Sequence, residues 1–166
     1  VIDNKLKFAE SRKSGIRKAL SLNIEVGESN DVDGFWHVLE DNLGNRYNAK
    51  PVHTSSEMKL LMSRFPNNIR LYVAKMNGEI VGGTLIYVTP QVVHTQYISA
   101  SVEGKKHGAL DLLFDYIINK VYANCRYFDF GKSTEQGGAY LNEPLIFQKE
   151  GFGGRGVCYD WYQWEL

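Results

Sequence analysis

Cysteine, net charge and long hydrophobic runs are what this sequence has least of, and each shortage closes off a class of function. The 166 residues include only two cysteines, Cys125 and Cys158. They stand far apart, with no Cys-x-x-Cys pair and no histidine at ligand spacing. That usage points away from a disulfide scaffold or a zinc site and fits a reducing cytoplasm. No apolar run approaches the roughly 20 residues that a membrane-spanning helix needs, and no signal peptide is visible. Lysine and arginine total 19 against 19 acidic residues, so nothing global calls for DNA or an anionic membrane as partner.

What is there is an ordinary globular composition, 43% apolar and 23% charged. A chain of this length buries about 70% of its extended surface as one domain. One local imbalance stands out just after Asp3, where Lys5, Lys7, Arg12, Lys13, Arg17 and Lys18 face only Glu10. A solvated helix face explains it better than a tRNA or phosphate contact. The chain opens on Val1 rather than methionine, as expected of a trimmed chain or the downstream part of something longer.

Patterning supplies the elements. Residues 3–21 read as a helix broken at Gly15, followed by a strand at 24–28. Ser29 and Asp31 cap a helix with Val32, Phe35, Trp36, Leu39 and Leu43 on its inner stripe. Residues 44–51 are polar and turn-rich. Thr54 and Glu57 form a capping box that opens a helix ending before Pro66. Two β-rich runs, 69–76 and 79–88, flank Asn77-Gly78, a pair that tolerates the positive φ of a two-residue hairpin. Strands follow at 92–100 and 127–131, with the helix of Leu110, Leu113, Phe114, Ile117 and Val121 between them. Residues 133–140 read as a loop, Asn142 caps a short helix ending at Gly151, and 157–166 closes the chain as an aromatic strand.

The most informative stretch is 96–113, QYISASVEGKKHGALDLL. It runs from an apolar strand through a glycine-containing turn with two lysines into an amphipathic helix. That order aims free backbone N–H groups and the positive end of a helix dipole at one spot, which suits a phosphate. A literal GxGxxG at 151–156 has the wrong context, since it follows a helix and precedes a strand; a dinucleotide fingerprint needs the reverse.

The element order from residue 24 to the end resembles the GNAT superfamily of acyl-CoA-dependent N-acyltransferases. Residues 127–166, YFDFGKSTEQGGAYLNEPLIFQKEGFGGRGVCYDWYQWEL, are similar to the C-terminal signature of its FemAB-like bacterial branch. The resemblance implies a mixed α/β fold whose mostly antiparallel central sheet splays two parallel strands, here 92–100 and 127–131. It implies acetyl-CoA as co-substrate, its arm pairing with the exposed backbone of Ile98, Ser99 and Ala100. Its pyrophosphate is then expected on the turn at 103–109, at Gly104, Lys105, Lys106, His107, Gly108 and Ala109, with Asn142 also contributing. It further implies an amine acceptor, either a small molecule or a cell-envelope precursor, and an upstream GNAT-like domain, with residues 1–22 as the helical linker to it and 23–166 as the acyltransferase domain; an oligomer stays open. Two positions depart from the family pattern. Aligning its Arg/Gln-x-x-Gly-x-Gly/Ala cradle on Gly108 puts Lys105 first and Leu110 last. Phe147 stands where many members carry the tyrosine that protonates the leaving thiolate.

Aminolysis of a thioester needs a neutral amine, and at pH 7 an amine of pKa near 10 is neutral only about one part in a thousand, equivalent to about 4 kcal/mol. Among the side chains that can move that proton, Glu135, His53 and Tyr97 rank first. Tyr97 lies on the central strand, His53 precedes the capping box, and Glu135 and Glu143 flank the loop at 133–141. Strand alternation puts His94 on the face opposite Tyr97, where a buried, hydrogen-bonded histidine is the usual outcome. The reading needs no metal. Two rivals remain: aminoacyl transfer from aminoacyl-tRNA, as FemAB proteins allow, and a GNAT fold kept as a non-catalytic module.

Overall fold

The hairpin at Asn77-Gly78 is the centre of the sheet. In a computed structural model, which describes residues 6–47, 49–160 and 162–165, β2 (Ile69–Met76) and β3 (Glu79–Val88) pair antiparallel around it. Asn77 and Gly78 sit at φ 53° and 84°, the two successive positive values that match the twist of a two-residue turn. β1 (Glu25–Ser29) adds antiparallel to β2, and β4 (Val92–Ala100) antiparallel to β3. β5 (Tyr127–Asp129) then adds parallel to β4, giving the order β1-β2-β3-β4-β5. The sheet is therefore mixed and mostly antiparallel, with its one parallel pair at an edge.

Helices cover both faces. α2 (Val32–Tyr47) and α3 (Ser55–Arg64) bring Phe35, Trp36, Leu39 and Met58 onto Leu71, Val73 and Leu85. α1 (Glu10–Ser21) and α5 (Ala109–Tyr116) lie on the other face, where Ala19, Ala109 and Leu112 meet Ala74 and Val81, and Leu113 meets Tyr72 and Ile86. Successive β2 residues thus serve opposite layers, which is why that strand is apolar on both sides. The caps form as expected. Asp31 Oδ1 accepts from the Gly34 amide at 2.9 Å, Thr54 Oγ1 accepts from the Glu57 amide at 3.2 Å, and Glu57 Oε2 accepts from the Thr54 amide at 2.7 Å.

Several elements differ from the sequence expectation. α1 runs unbroken through Gly15; positions 3–5 of the expected helix lie outside the described residues. α2 continues past Gly44, into the stretch expected to be a turn. The turn expected at 103–109 is mostly a short helix, α4 (Val102–Lys106), and α5 passes into a π-helical turn, Ile117–Val121. Within the expected loop at 133–140, β6 (Thr134–Glu135) and β7 (Tyr140–Leu141) form a small hairpin, ahead of α6 (Glu143–Gly151). The closing strand is not formed: 157–160 and 162–165 pair with no strand, and Val157, Tyr159, Tyr162 and Trp164 are exposed. Aromatic alternation favours β structure only where a ladder partner is in reach. Positions 161 and 166 of that stretch lie outside the described residues.

Gly15 owes its small size to packing. α1 crosses α5 so closely that a Cβ on Gly108 would lie 2.4 Å from the Gly15 carbonyl oxygen. Arg12 clamps the crossing with a 2.8 Å ion pair to Asp111, and Lys18 Nζ donates to the Lys106 carbonyl at 2.9 Å. Gly108 also sits at φ 73°, so a side chain there meets both torsional strain and overpacking, together about 2–4 kcal/mol. Gly108→Ala should therefore lower the melting temperature by roughly 5–15 °C. Gly137→Ala, at φ 68° but with open space around it, should cost clearly less. Equal losses in parallel thermal melts would refute the close helix crossing.

Candidate active site

The parallel ladder at the sheet edge is short. Val92–His94 pair with Tyr127–Asp129, and Thr95 Oγ1 donates to the Asp129 carbonyl at 3.3 Å as the last link. β4 continues to Ala100 with no strand beside it on that edge among the described residues. The Ser101 amide donates toward β3, to Val81 O at 2.9 Å. By strand alternation, the backbone groups of Ile98 and Ala100 point the other way, into the gap.

The partner chain turns off at Gly131, φ 70°, while Phe130 packs against Phe128, Phe114 and Phe152 at ring distances of 4.9, 5.4 and 5.8 Å. The divergence leaves a cleft of about 250 Å³ whose lining includes Ile98, Ser99, Ala100, Lys105, Phe130 and Lys149. A second cleft of about 270 Å³ shares Lys105 with it and is bordered by Arg12, Gly104, Gly108 and Phe147.

Six of the expected binding residues thus meet at the clefts: Ile98, Ser99, Ala100, Gly104, Lys105 and Gly108. Four others line neither cleft. Lys106 and His107 both face Glu103, at 3.8 and 2.9 Å. Ala109 is buried in the core. Asn142 caps α6 through the Leu145 amide and donates to Glu135 Oε1 at 2.6 Å. The two glycines also have a first duty within the fold. A Cβ on Gly104 would lie 2.0 Å from the Val81 carbonyl oxygen, as one on Gly108 would crowd Gly15. Phe147 is 69% exposed at the rim of the second cleft and brings no hydroxyl there.

Of the three acid–base candidates, the structure joins two. His53 Nδ1 and Tyr97 Oη share a 2.7 Å hydrogen bond. Trp36 stacks edge-on against Tyr97 and donates its indole N–H to the His53 carbonyl at 3.1 Å. Glu135 lies apart on the β6–β7 hairpin, engaged by Asn142.

His94 requires a correction. The β3–β4 register slips between Leu85/Ile86, leaving Gln96 without a counterpart. This bulge resets the alternation of β4, so His94 and Tyr97 lie on the same face. His94 contacts Tyr87, which packs with Tyr97 on the α2 side.

Two charged groups mark the point where the strands part, and neither stood out in the sequence. Asp129 Oδ2 meets His94 Nδ1 at 2.7 Å, and Asp129 Oδ1 accepts from the Gly131 amide at 2.7 Å. Burial pushes this carboxyl up, but the Gly131 amide and His94 outweigh it, and its pKa ends below the usual value. Lys149 donates to the carbonyls of Gly131 and Lys132 at 3.0 and 2.6 Å. Burial pulls its ammonium pKa down, with Asp129 opposing. Spacing alone carries no signal for either, because Asp129 and Lys149 lie twenty positions apart in the chain.

A carboxylate whose folded pKa is depressed stabilises the fold above its unfolded pKa of about 3.9, and that contribution disappears as pH falls through the folded value. Asp129→Asn should therefore melt a few degrees below the wild type at pH 7, with the two curves converging near pH 2. A constant gap across that range, measured by circular dichroism, would contradict this assignment.

Comparison with known proteins accords with the fold. The family described as Acetyltransferase (GNAT) domain matches residues 7–140. A search of curated proteins returns no match. Among solved structures, a possible acetyltransferase from Clostridium difficile 630 aligns with a TM-score of 0.62 at 13% identity, covering 86% of this chain and 97% of that one. AAC(6')-Iy in complex with the bisubstrate analog CoA-S-monomethyl-acetylneamine aligns at 0.61 and 12% identity, covering 87% and 99%. The aminoglycoside acetyltransferase meta-AAC0020, from an uncultured soil metagenomic sample and in complex with sisomicin, aligns at 0.58 and 17% identity, covering 86% and 97%. At these identities the likeness is one of fold.

Proposed function

The chain belongs to the GNAT acetyltransferase family, and from that premise we propose that it transfers an acetyl group from acetyl-CoA to an amine by direct attack. The observation that carries this reading is the early end of the β4–β5 ladder, which opens a cleft along Ile98, Ser99 and Ala100. The residues there fit the carrier. Backbone groups of Ile98 and Ala100 are free to pair with amides of an extended arm, and an N–H there can polarise a carbonyl. Lys105, at the junction of the two clefts, supplies a point charge toward the diphosphate.

Acetyl-CoA supplies an activated acyl group; the chain supplies orientation and proton transfer. We assign the Tyr97 hydroxyl, held by His53, to the leaving-group side, in place of the tyrosine that Phe147 lacks. The acceptor is a small-molecule or cell-envelope-precursor amine. The FemAB-like wording of residues 127–166 supports that class, as does the presence of aminoglycoside acetyltransferases among the fold neighbours. Aminoacyl-tRNA is less favoured, since the cations of α1 are largely engaged: Arg12 with Asp111, Arg17 with Glu10, and Lys18 with the Lys106 carbonyl. Unbridged Cys125 and Cys158 support work in a reducing cytoplasm.

Titration calorimetry with acetyl-CoA tests the reading. At a hundredfold excess over Kd, binding stabilises the fold by about 2.7 kcal/mol, visible as a raised melting temperature. Lys105→Ala should weaken the affinity by about tenfold while Lys106→Ala leaves it unchanged, because only Lys105 lines the clefts. Equal effects of the two, or no binding by the wild type, would refute the assignment.

A further inference from the structure

We propose that His94, oriented by Asp129, is the base that takes the proton from the acceptor amine; this rests on the acyl-transfer reading above. Four observations on the geometry carry it.

First, the pair stands where β4 and β5 part. His94 and Asp129 are the last paired residues of the parallel ladder; further along, Ile98, Ser99 and Ala100 of β4 and Phe130 after β5 border the cleft. Second, the bulge at Gln96 brings His94 onto the face that Tyr97 and His53 occupy. A base for the amine and an acid for the sulfur must both reach one carbonyl.

Third, the tautomer is determined. Asp129 accepts from the Gly131 amide through one oxygen and meets His94 Nδ1 through the other, each at 2.7 Å. An ionised carboxylate only accepts, so in the neutral imidazole Nδ1 carries the hydrogen and Nε2 the lone pair. Fourth, the His94 side chain is 33% exposed, so an acceptor can reach it; a histidine serving only as a strut has no need of that opening.

The charged and titratable groups around the pair come from every element that packs there. Tyr87 of β3 lies beside the imidazole at a ring distance of 6.3 Å, and Tyr97 lies further along β4 on the same face. Lys149 of α6 is tied to the Gly131 carbonyl next to Asp129. Its ammonium favours the ionised form of Asp129.

The step balances. The amine nitrogen forms a C–N bond to the thioester carbonyl carbon, the C–S bond breaks, and the nitrogen's proton passes to His94 Nε2. CoA leaves as thiolate and takes up a proton through the Tyr97–His53 pair or from water. The products are the N-acetyl amine and free thiol.

The test follows thiol release by the purified chain with acetyl-CoA and a panel of primary amines (sisomicin, spermine and free amino acids), over pH 6 to 10. His94→Gln should lower kcat by about 10²- to 10⁴-fold with acetyl-CoA affinity retained. Its rate should climb steeply with pH, because only amine already neutral in solution reacts. Added imidazole should restore activity to His94→Gly, a rescue that a purely structural role would not produce. An unchanged kcat in His94→Gln, or a loss that neither imidazole nor high pH recovers, overturns the dyad and leaves the transfer reading standing. A wild-type chain that consumes no amine overturns the transfer reading and the dyad with it.

Discussion

Phe130 decides the shape of this molecule at its working end. The chain leaving β5 cannot both continue its ladder with β4 and bury that ring among Phe114, Phe128 and Phe152. Three aromatic contacts contribute about 0.5–1.5 kcal/mol each beyond burial. The backbone hydrogen bonds forgone along the rest of β4 contribute about as much each, but their groups face a cleft open to water and are not stranded. The balance therefore favours parting. Gly131 makes the turn, and Lys149, donating to the carbonyls of Gly131 and Lys132, pins the departing chain.

That parting gathers the chemistry. The ladder ends at His94 and Asp129, so the last rung of the sheet is also a hydrogen-bonded acid–base pair. The bulge at Gln96 turns the strand so that Tyr97, held by His53, looks out over the same face. On the opposite face the helix crossing at Gly15 and Gly108 sets α5 against the sheet and brings Arg12 to the edge of the second cleft. Close approach within the fold already forbids a side chain at Gly104 and Gly108.

Legibility varied with the range of the interaction. The hairpin, the capping box and the bounds of β2, β3 and β4 were readable because each depends on a few neighbouring residues: a turn pair, a Thr–Glu reach, an apolar run. The cleft-lining residues of β4 were readable because a strand followed by a lysine-bearing turn and a helix is a local order. The short helix α4 in place of a turn, the continuation of α2 past Gly44 and the unformed strand at the C-terminus were not. Each turns on what lies alongside in space: a Val81 carbonyl that receives Gly104, a core that holds α2, an absent ladder partner.

By itself the sequence determined the alternation of elements and the hairpin that organises the sheet. These are matters of propensity and spacing along the chain. Only the tertiary structure decided that His94 shares a face with Tyr97, that Asp129 orients it and that Lys149 guards the same corner. A single unpaired residue in a ladder inverts every later side chain, and no periodicity announces where the slip will fall. Pairs such as His94–Asp129 and His53–Tyr97 lie thirty-five and forty-four positions apart, and only packing brings them within hydrogen-bonding distance.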